Sequence, residues 1–85
     1  MLYQITWKPS ARKAFLSLDK PVQRRIAAAV DALAADPRPS GARALRGMPG
    51  VLRIRVADYR VLYQVHDDRL VVLVADVGHR REIYR

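Results

Sequence analysis

Cysteine is absent from this chain of 85 residues, which excludes a disulfide framework and a zinc site built on thiolates. No apolar run approaches the roughly 18 residues that a membrane-spanning helix needs. The N-terminus lacks the basic flank and apolar stretch of a signal peptide, and the histidines and aspartates lack metal-site spacing. We therefore expect one small cytoplasmic domain over residues 1–85, with no metal or cofactor.

Acidic residues are scarce. Eight Asp and Glu stand against 16 Lys and Arg, which gives a net charge of +8 and a pI near 10.9. Such an excess on a folded domain indicates a polyanionic partner, either nucleic acid or an acidic protein. Thirteen of the 16 basic residues are arginine, whose planar guanidinium binds phosphate or carboxylate through two parallel hydrogen bonds. A GC-rich genome is an alternative source of the arginine bias, but it does not explain the net charge.

The first half of the chain indicates one strand and two helices. The β-branched and aromatic residues of Leu2–Trp7 alternate as in a strand. Ser10 is expected to cap a first helix, and Pro21 to begin a second. We expect the second helix to end near Asp36, because the prolines of the loop Pro37–Gly50 cannot continue it. Its predicted buried stripe comprises Val22, Ile26, Ala29, Val30 and Leu33.

The second half alternates with the period of a β-strand. It predicts three strands, Val51–Val56, Tyr59–His66 and Leu70–Val77, joined by connections of hairpin length. The element order is β-α-α-β-β-β. This order predicts an α+β fold in which a helical hairpin packs on one face of a small, mainly antiparallel sheet and leaves the other face open.

Arginines converge on the predicted open face. A two-residue turn at Ala57-Asp58 places Arg55 directly opposite Arg60, with Arg53 on the same face. Like charges opposite each other cost roughly 0.2–1 kcal/mol, but a bound phosphate replaces the repulsion with charge-assisted hydrogen bonds. We therefore interpret the cluster as an anion site. The alternative is that these arginines are only the solvated face of a half-buried sheet.

The next connection and the C-terminal segment affect the same face. A three-residue turn after His66 would place Asp76 opposite Arg60, where it could orient the guanidinium, whereas a two-residue turn would send Asp76 to the other face. The segment Gly78–Arg85 would add Arg80 and Tyr84 to the cluster if it folds back.

Cleavage of RNA is a reaction that such a cluster can support. The nucleophile is the 2′-hydroxyl of the RNA itself, so the protein must supply a base, stabilise charge at phosphorus and assist the leaving oxygen. Arginines stabilise the charge. Tyr84 is a candidate base, because positive surroundings favour its phenolate. His79 is the other candidate because histidine titrates near neutrality, whereas His66, at a hairpin end, is interpreted as a bystander.

Several spaced segments carry a resemblance to a known family. They are Leu45-Arg46-Gly47-Met48-Pro49-Gly50, Leu52-Arg53-Ile54-Arg55-Val56, Asp58-Tyr59-Arg60-Val61-Leu62-Tyr63 and Val77-Gly78-His79-Arg80-Arg81-Glu82-Ile83-Tyr84. On these segments the chain resembles the RelE branch of the RelE/ParE toxin superfamily, and the resemblance extends over the whole chain. It implies the RelE-like microbial RNase fold and an mRNA interferase that cuts the codon in the ribosomal A site without a metal.

The resemblance also implies partners and residue roles. It implies a RelB-like antitoxin, in a hetero-oligomeric complex that binds DNA through the antitoxin. Arg60 and Arg80 match the arginines that hold the scissile phosphate and stabilise the transition state, and Tyr84 matches the tyrosine proposed as general base. Further RNA-binding positions are Arg46, Arg53 and Arg81.

One substitution departs from the family pattern. Arg53 and Arg55 stand where the best-studied branch carries lysines. Arginine practically never gives up its proton, so Arg55 can stabilise charge but is a poor general acid. The resemblance therefore leaves water or His79 to protonate the leaving group.

Two other functions remain open at this point. A ParE-like inhibitor of DNA gyrase would have the same fold without phosphodiester chemistry. A non-catalytic RNA-binding module or decayed toxin is the third reading, and the arginine-for-lysine change makes it credible.

Overall fold

The computed structural model describes residues 2–79 of the chain. Within this part, two helices and five strands follow one another along the sequence. Their bounds are β1 Gln4–Trp7, α1 Pro9–Leu16, α2 Lys20–Ala32, β2 Arg43–Ala44, β3 Val51–Val56, β4 Tyr59–His66 and β5 Val71–His79. The three C-terminal strands agree with the prediction to within two residues at each end.

The strands form one sheet with the order β1-β5-β4-β3-β2. β1 lies parallel to β5, and every other neighbouring pair is antiparallel. From β1 at one edge, the chain crosses through the helical hairpin to β2 at the opposite edge. It then returns strand by strand to β5. The predicted α+β fold with a mainly antiparallel sheet is confirmed.

The hydrophobic core lies between the helices and one face of the sheet. Ile26, Val30 and Leu33 of the predicted stripe are almost fully buried, which confirms the helical period of α2. On the sheet side, Val61 and Tyr63 are fully buried against them. The Tyr63 hydroxyl donates a hydrogen bond to the Pro37 carbonyl at 2.7 Å, which ties the loop after α2 to the core.

The start of α1 and the end of α2 differ from the sequence prediction. α1 begins at Pro9 with Lys8 as its N-cap, so the expected cap at Ser10 is wrong. Proline suits the first turn because its fixed φ is helical and its missing N–H has no helical partner there. α2 ends at Ala32 rather than near Asp36, because the next N–H groups bond to carbonyls three residues back in a tightened turn.

The loop Pro37–Gly50 contains β2, which the sequence analysis did not predict. Two residues are too few for an alternating pattern, so only the pairing with β3 reveals the strand. Gly47 and Gly50 both have φ near +79° in the turn that reverses the chain from β2 into β3. Of the two helices in residues 2–79, neither has the length and apolar character needed to span a membrane.

Candidate functional site

The hairpin of β3 and β4 brings two arginines face to face. Arg55 pairs with Arg60 and Val56 pairs with Tyr59, as the two-residue turn predicts. The pair closing such a turn is hydrogen-bonded, so Arg55 and Arg60 form the next, non-hydrogen-bonded pair, in which side chains come closest. Ala57 in the turn has φ of +55°, a left-handed conformation that matches the first position of a type II′ turn.

β2 adds a further arginine, Arg43, to this face. Arg43 pairs with Arg53 of β3, which on its other side pairs with Leu62 of β4. Residues paired across strands project on the same side of a sheet. Arg43 was missed because it falls in the loop between the helices and β3. The glycines on either side of Met48-Pro49 were a signal for the chain reversal that places it. We call the sheet face away from the helices, with Arg43, Arg53, Arg55 and Arg60, the arginine face.

Asp76 lies on the arginine face, but neither of the two predicted turn lengths is the one observed. The connection between β4 and β5 has four residues, and a bulge at Ala75 shifts the register between Leu62 and Tyr63. Asp76 is therefore opposite Leu62, and Gly78 is opposite Arg60. The four-residue turn alone would have turned Asp76 towards the helices, and the extra residue of the bulge returns it to the arginine face.

The surroundings of the arginines are less open than predicted. Leu62 is 3% exposed and Val51 is 7% exposed, although both project from the arginine face rather than into the main core. The Nε atoms of Arg53 and Arg60 are buried with them. The aliphatic parts of the Arg53 and Arg60 side chains therefore lie along an apolar strip, as those of long basic side chains commonly do. Arg55 of β3, in contrast, is exposed.

Arg43, Arg53 and Arg55 form no ion pair with a carboxylate of the described part of the chain. Arg43 instead donates to the carbonyls of Ser40 and Ala42, both at 2.9 Å. Asp76 accepts a hydrogen bond from the Val77 N–H at 2.8 Å, so its carboxylate is directed at its own backbone. Arg43, Arg53 and Arg55 thus form a concentrated positive surface that can hold an anion.

The other predicted site residues are distributed as follows. His79 pairs with Tyr59, with their ring centroids 5.6 Å apart, and projects to the helix side of the sheet rather than from the arginine face. His66 lies beside Gln64, with 3.1 Å between Nε2 and Oε1. Arg46 is exposed in the turn between β2 and β3. The predictions for Arg80, Arg81 and Tyr84 lie outside the described residues.

A second charged cluster, which sequence reasoning missed, lies at the far end of the sheet. Asp67 in the β4–β5 turn accepts two hydrogen bonds from Arg38, at 2.8 and 3.1 Å, and one from the Tyr3 hydroxyl at 2.6 Å. The Arg38 guanidinium is the main reason that the pKa of Asp67 falls to about 2. We call these three residues the Asp67 cluster. The cluster joins segments that are distant in sequence, so no local sequence pattern predicted it.

Metal-ligand chemistry has no candidate centre in the described part of the chain, because residues 2–79 hold no group of three or more His, Cys, Asp or Glu side chains placed to bind an ion.

Comparison with known proteins shows which family this chain is similar to. The family model described as "ParE toxin of type II toxin-antitoxin system, parDE" matches residues 5–84. The mRNA interferase toxin RelE of Escherichia coli K12 is 33% identical over 88 residues, which cover 99% of this chain and 92% of that protein.

Two solved structures are similar along almost the whole chain. One is the crystal structure of the intact E. coli RelBE toxin-antitoxin complex, with a TM-score of 0.80 and 30% identity, covering 91% of this chain and 95% of the matched one. The other is the archaeal RelE-RelB complex from Pyrococcus horikoshii OT3, with a TM-score of 0.83 and 29% identity, covering 96% and 99%. With sequence, fold and the arginine-bearing hairpin in agreement, the chain belongs to the RelE family of toxins of type II toxin-antitoxin systems.

Proposed function

We propose that this protein is a ribosome-dependent mRNA endoribonuclease that inhibits translation in the cytoplasm and is silenced by a RelB-like antitoxin. The observation that carries the proposal is the direct pairing of Arg55 with Arg60, with Arg53 and Arg43 on the same face. Repulsion between these groups has no structural benefit, whereas a phosphate bound there converts it into charge-assisted hydrogen bonds. The name of the E. coli relative, an mRNA interferase, supports the same reaction.

The proposed reaction needs no nucleophile from the protein. The 2′-oxygen of the RNA attacks phosphorus, the bond to the 5′-oxygen breaks, and a 2′,3′-cyclic phosphate remains. Tyr84 takes the proton from the 2′-hydroxyl, and Arg60 and Arg80 hold the phosphate and stabilise the charge that develops on it. Arg55 adds to this stabilisation, and Arg46, Arg53 and Arg81 hold the flanking RNA.

Protonation of the leaving 5′-oxygen falls to water or to His79. Arg55 is unsuited to this step because guanidinium does not release its proton. His79 lies at the end of β5 next to Gly78, which is opposite Arg60, although its ring contacts Tyr59 on the other side of the sheet. Water is therefore the donor that requires no rearrangement of β5.

The proposal is tested by adding the purified protein to translating ribosomes that carry a defined mRNA and mapping the new 5′ ends. We expect cuts at ribosome-bound codons and none in free RNA. The Arg60→Ala variant should lose cleavage by about 10²-fold or more, because its guanidinium contacts the reacting phosphate.

The matched control for this variant is Arg24→Ala, which removes the same charge from an exposed position on α2. It should cleave like the wild-type protein. Equal activity of Arg60→Ala and Arg24→Ala would contradict the proposed site, and cuts that do not depend on the ribosome would contradict the proposed substrate.

A second function is favoured by the family model, which is described as a ParE toxin. A ParE-like protein would inhibit DNA gyrase and leave RNA intact. The two are separated by a supercoiling assay run beside the cleavage assay, where the nuclease proposal expects no gyrase inhibition. Steep loss of ribosome affinity with added salt would further support contact with several phosphates.

A further inference from the structure

β5 extends beyond the end of β1. The two strands pair only between Val71 and Val74 of β5, and at the end of this pairing the Lys8 N–H donates a hydrogen bond of 2.9 Å to the Val74 carbonyl. β5 then continues to His79, and this last part of it pairs with β4. Within residues 2–79, the other side of this part of β5 has no neighbouring strand.

The backbone N–H of Val77 points to that side. Tyr59 closes the turn between β3 and β4 and therefore directs its backbone groups at β3. Because this direction alternates along a strand, the backbone groups of Leu62 face β5, where Leu62 pairs with Asp76. The backbone of Asp76 thus faces β4, and that of Val77, the next residue, faces away from β4.

The Asp76 side chain takes the place of a neighbouring strand. One of its carboxylate oxygens accepts a hydrogen bond from the Val77 N–H at 2.8 Å. Val77 is only 4% exposed, so water has little access to its backbone, and an N–H left without an acceptor there would destabilise this part of β5. The hydrogen bond therefore stabilises β5 immediately after the bulge at Ala75.

The bulge decides which residue of β5 lies opposite Arg60. With the bulge, that residue is Gly78. Without the extra residue at Ala75, the register would shift by one position and bring Val77 opposite Arg60. Gly78 has no side chain, so β5 places nothing directly opposite the Arg60 side chain on the arginine face. A valine in that position would lie beside the guanidinium and narrow the space for a phosphate.

The negative charge of Asp76 is a separate matter from its hydrogen bond. Asp76 lies diagonally across from Arg60 and forms no ion pair with Arg60, Lys8 or any other side chain of residues 2–79. A carboxylate on the arginine face would also repel a bound phosphate. The acceptor oxygen of Asp76, rather than its charge, is therefore the feature that benefits the site.

We propose that Asp76 is a positioning residue, which holds the bulge of β5 through the Val77 N–H and thereby keeps Gly78 opposite Arg60. This inference rests on the proposed function, in which Arg60 holds the reacting phosphate. Asp76 acts on Arg60 through the backbone of β5 and does not itself touch the RNA.

Two substitutions separate the hydrogen bond from the charge. Asp76→Asn keeps an oxygen acceptor for the Val77 N–H and removes the charge, whereas Asp76→Ala removes both. In single-turnover cleavage on ribosomes at saturating toxin, we expect Asp76→Ala to lower the rate constant about tenfold or more, because small misplacements of groups at a reacting centre are costly. Asp76→Asn should cleave close to the wild-type rate. The two variants should share one half-saturating concentration, because they carry the same charge.

Spectroscopy of the full-length toxin without ribosomes examines the hydrogen bond itself. The Val77 amide should exchange with solvent about tenfold faster in Asp76→Ala than in Asp76→Asn. The Nε of Arg60 is buried, and its N–H resonance should differ between these two variants although their charges are equal. In the wild-type protein, a scalar coupling across the hydrogen bond from Val77 N–H to the Asp76 carboxylate measures the contact even if Asp76→Ala fails to fold.

Asp68→Ala is the matched control. It removes a carboxylate from the exposed turn before β5, where Asp68 makes no hydrogen bond or ion pair within residues 2–79. Cleavage, Val77 exchange and the Arg60 resonance should all remain as in the wild type. Circular dichroism checks that each variant is folded.

Equal cleavage rates of Asp76→Asn and Asp76→Ala would overturn the inference: equal losses would assign the effect to charge, and wild-type rates in both would show that the hydrogen bond does not affect the site. Equal Val77 exchange in the two variants, or no coupling across the hydrogen bond, would also overturn it. A wild-type protein that cuts no mRNA would contradict the nuclease function alone, because exchange and the Arg60 resonance still decide the role of Asp76.

Discussion

Arg55 and Arg38 lie at opposite ends of the sheet, in surroundings of contrasting charge. Arg38 meets the carboxylate of Asp67 at 2.8 Å, whereas Arg55 is placed directly opposite the like charge of Arg60. The Asp67 cluster joins three distant segments, whereas the arginine face places Arg55 and Arg60 opposite each other, where an added anion would offset the like charges. The comparison teaches that an arginine supports the fold where a carboxylate compensates it, as at Arg38, and stays available to an anion where the described residues offer no carboxylate, as at Arg55.

The largest expected effect comes from removing the proposed base. Tyr84→Phe should lower ribosome-dependent cleavage by about 10²–10⁴-fold, the usual contribution of a general base, without changing the thermal unfolding midpoint. Mapped 5′ ends quantify the cleavage. Tyr59→Phe is the matched control, since Tyr59 packs against the core. Equal cleavage by the two variants would remove Tyr84 from the mechanism.

A charge reversal would turn the arginine face into a compensated pair. Arg55→Glu places opposite charges across β3 and β4, so we expect the free energy of unfolding to rise by roughly 0.2–1 kcal/mol while cleavage falls. Urea denaturation measures the first effect and 5′-end mapping the second. Arg24→Glu makes the same change on an exposed face of α2. If both variants changed stability equally, Arg55 and Arg60 would not repel each other in the free protein.

The turn that sets the two arginines opposite each other is itself strained. Ala57 has φ of +55°, so Ala57→Gly should raise the free energy of unfolding by about 0.4–1 kcal/mol and leave cleavage unchanged. The same exchange at Ala28, in α2, should lower stability by about 0.5–1 kcal/mol. Chemical denaturation of both variants checks the opposite signs. A loss of stability in Ala57→Gly would contradict the left-handed turn.

The smallest effect is expected at the compensated end, where solvent screens the Asp67 cluster. Arg38 and Tyr3 lower the pKa of Asp67 from 3.8 to about 2. Because the pKa is lower in the folded protein, this contribution is present above about pH 4 and is lost as the pH falls from 3.8 towards 2. Asp67→Asn should therefore be less stable than the wild type at neutral pH, with the difference vanishing near pH 2.

Urea midpoints across this pH range measure the effect. Asp68→Asn is the control, because Asp68 is exposed in the same turn and makes no hydrogen bond or ion pair within residues 2–79. An acid dependence that is the same in the two variants would show that the hydrogen bonds of Asp67 do not stabilise the fold.

Sequence reasoning succeeded where pairing is local. The register of β3 against β4 followed from the two-residue turn and the alternation of the strands, so the pairing of Arg55 with Arg60 was predictable. The buried stripe of α2 followed in the same way from its helical period. The sequence prediction was less accurate at the β4–β5 connection. Neither predicted turn length was observed there, and a bulge decided on which face Asp76 lies.

What the sequence by itself determined is the element order, the helical stripe and the arginine hairpin, because each depends on residues that are near neighbours in the chain. Tertiary structure alone decided that Arg43 joins the arginine face, that Asp67 gathers Arg38 and Tyr3, and that a cavity opens beside β3. These features arise when segments far apart in sequence pack together. Their geometry is set by the free energy of the whole fold, which no local pattern of side chains encodes.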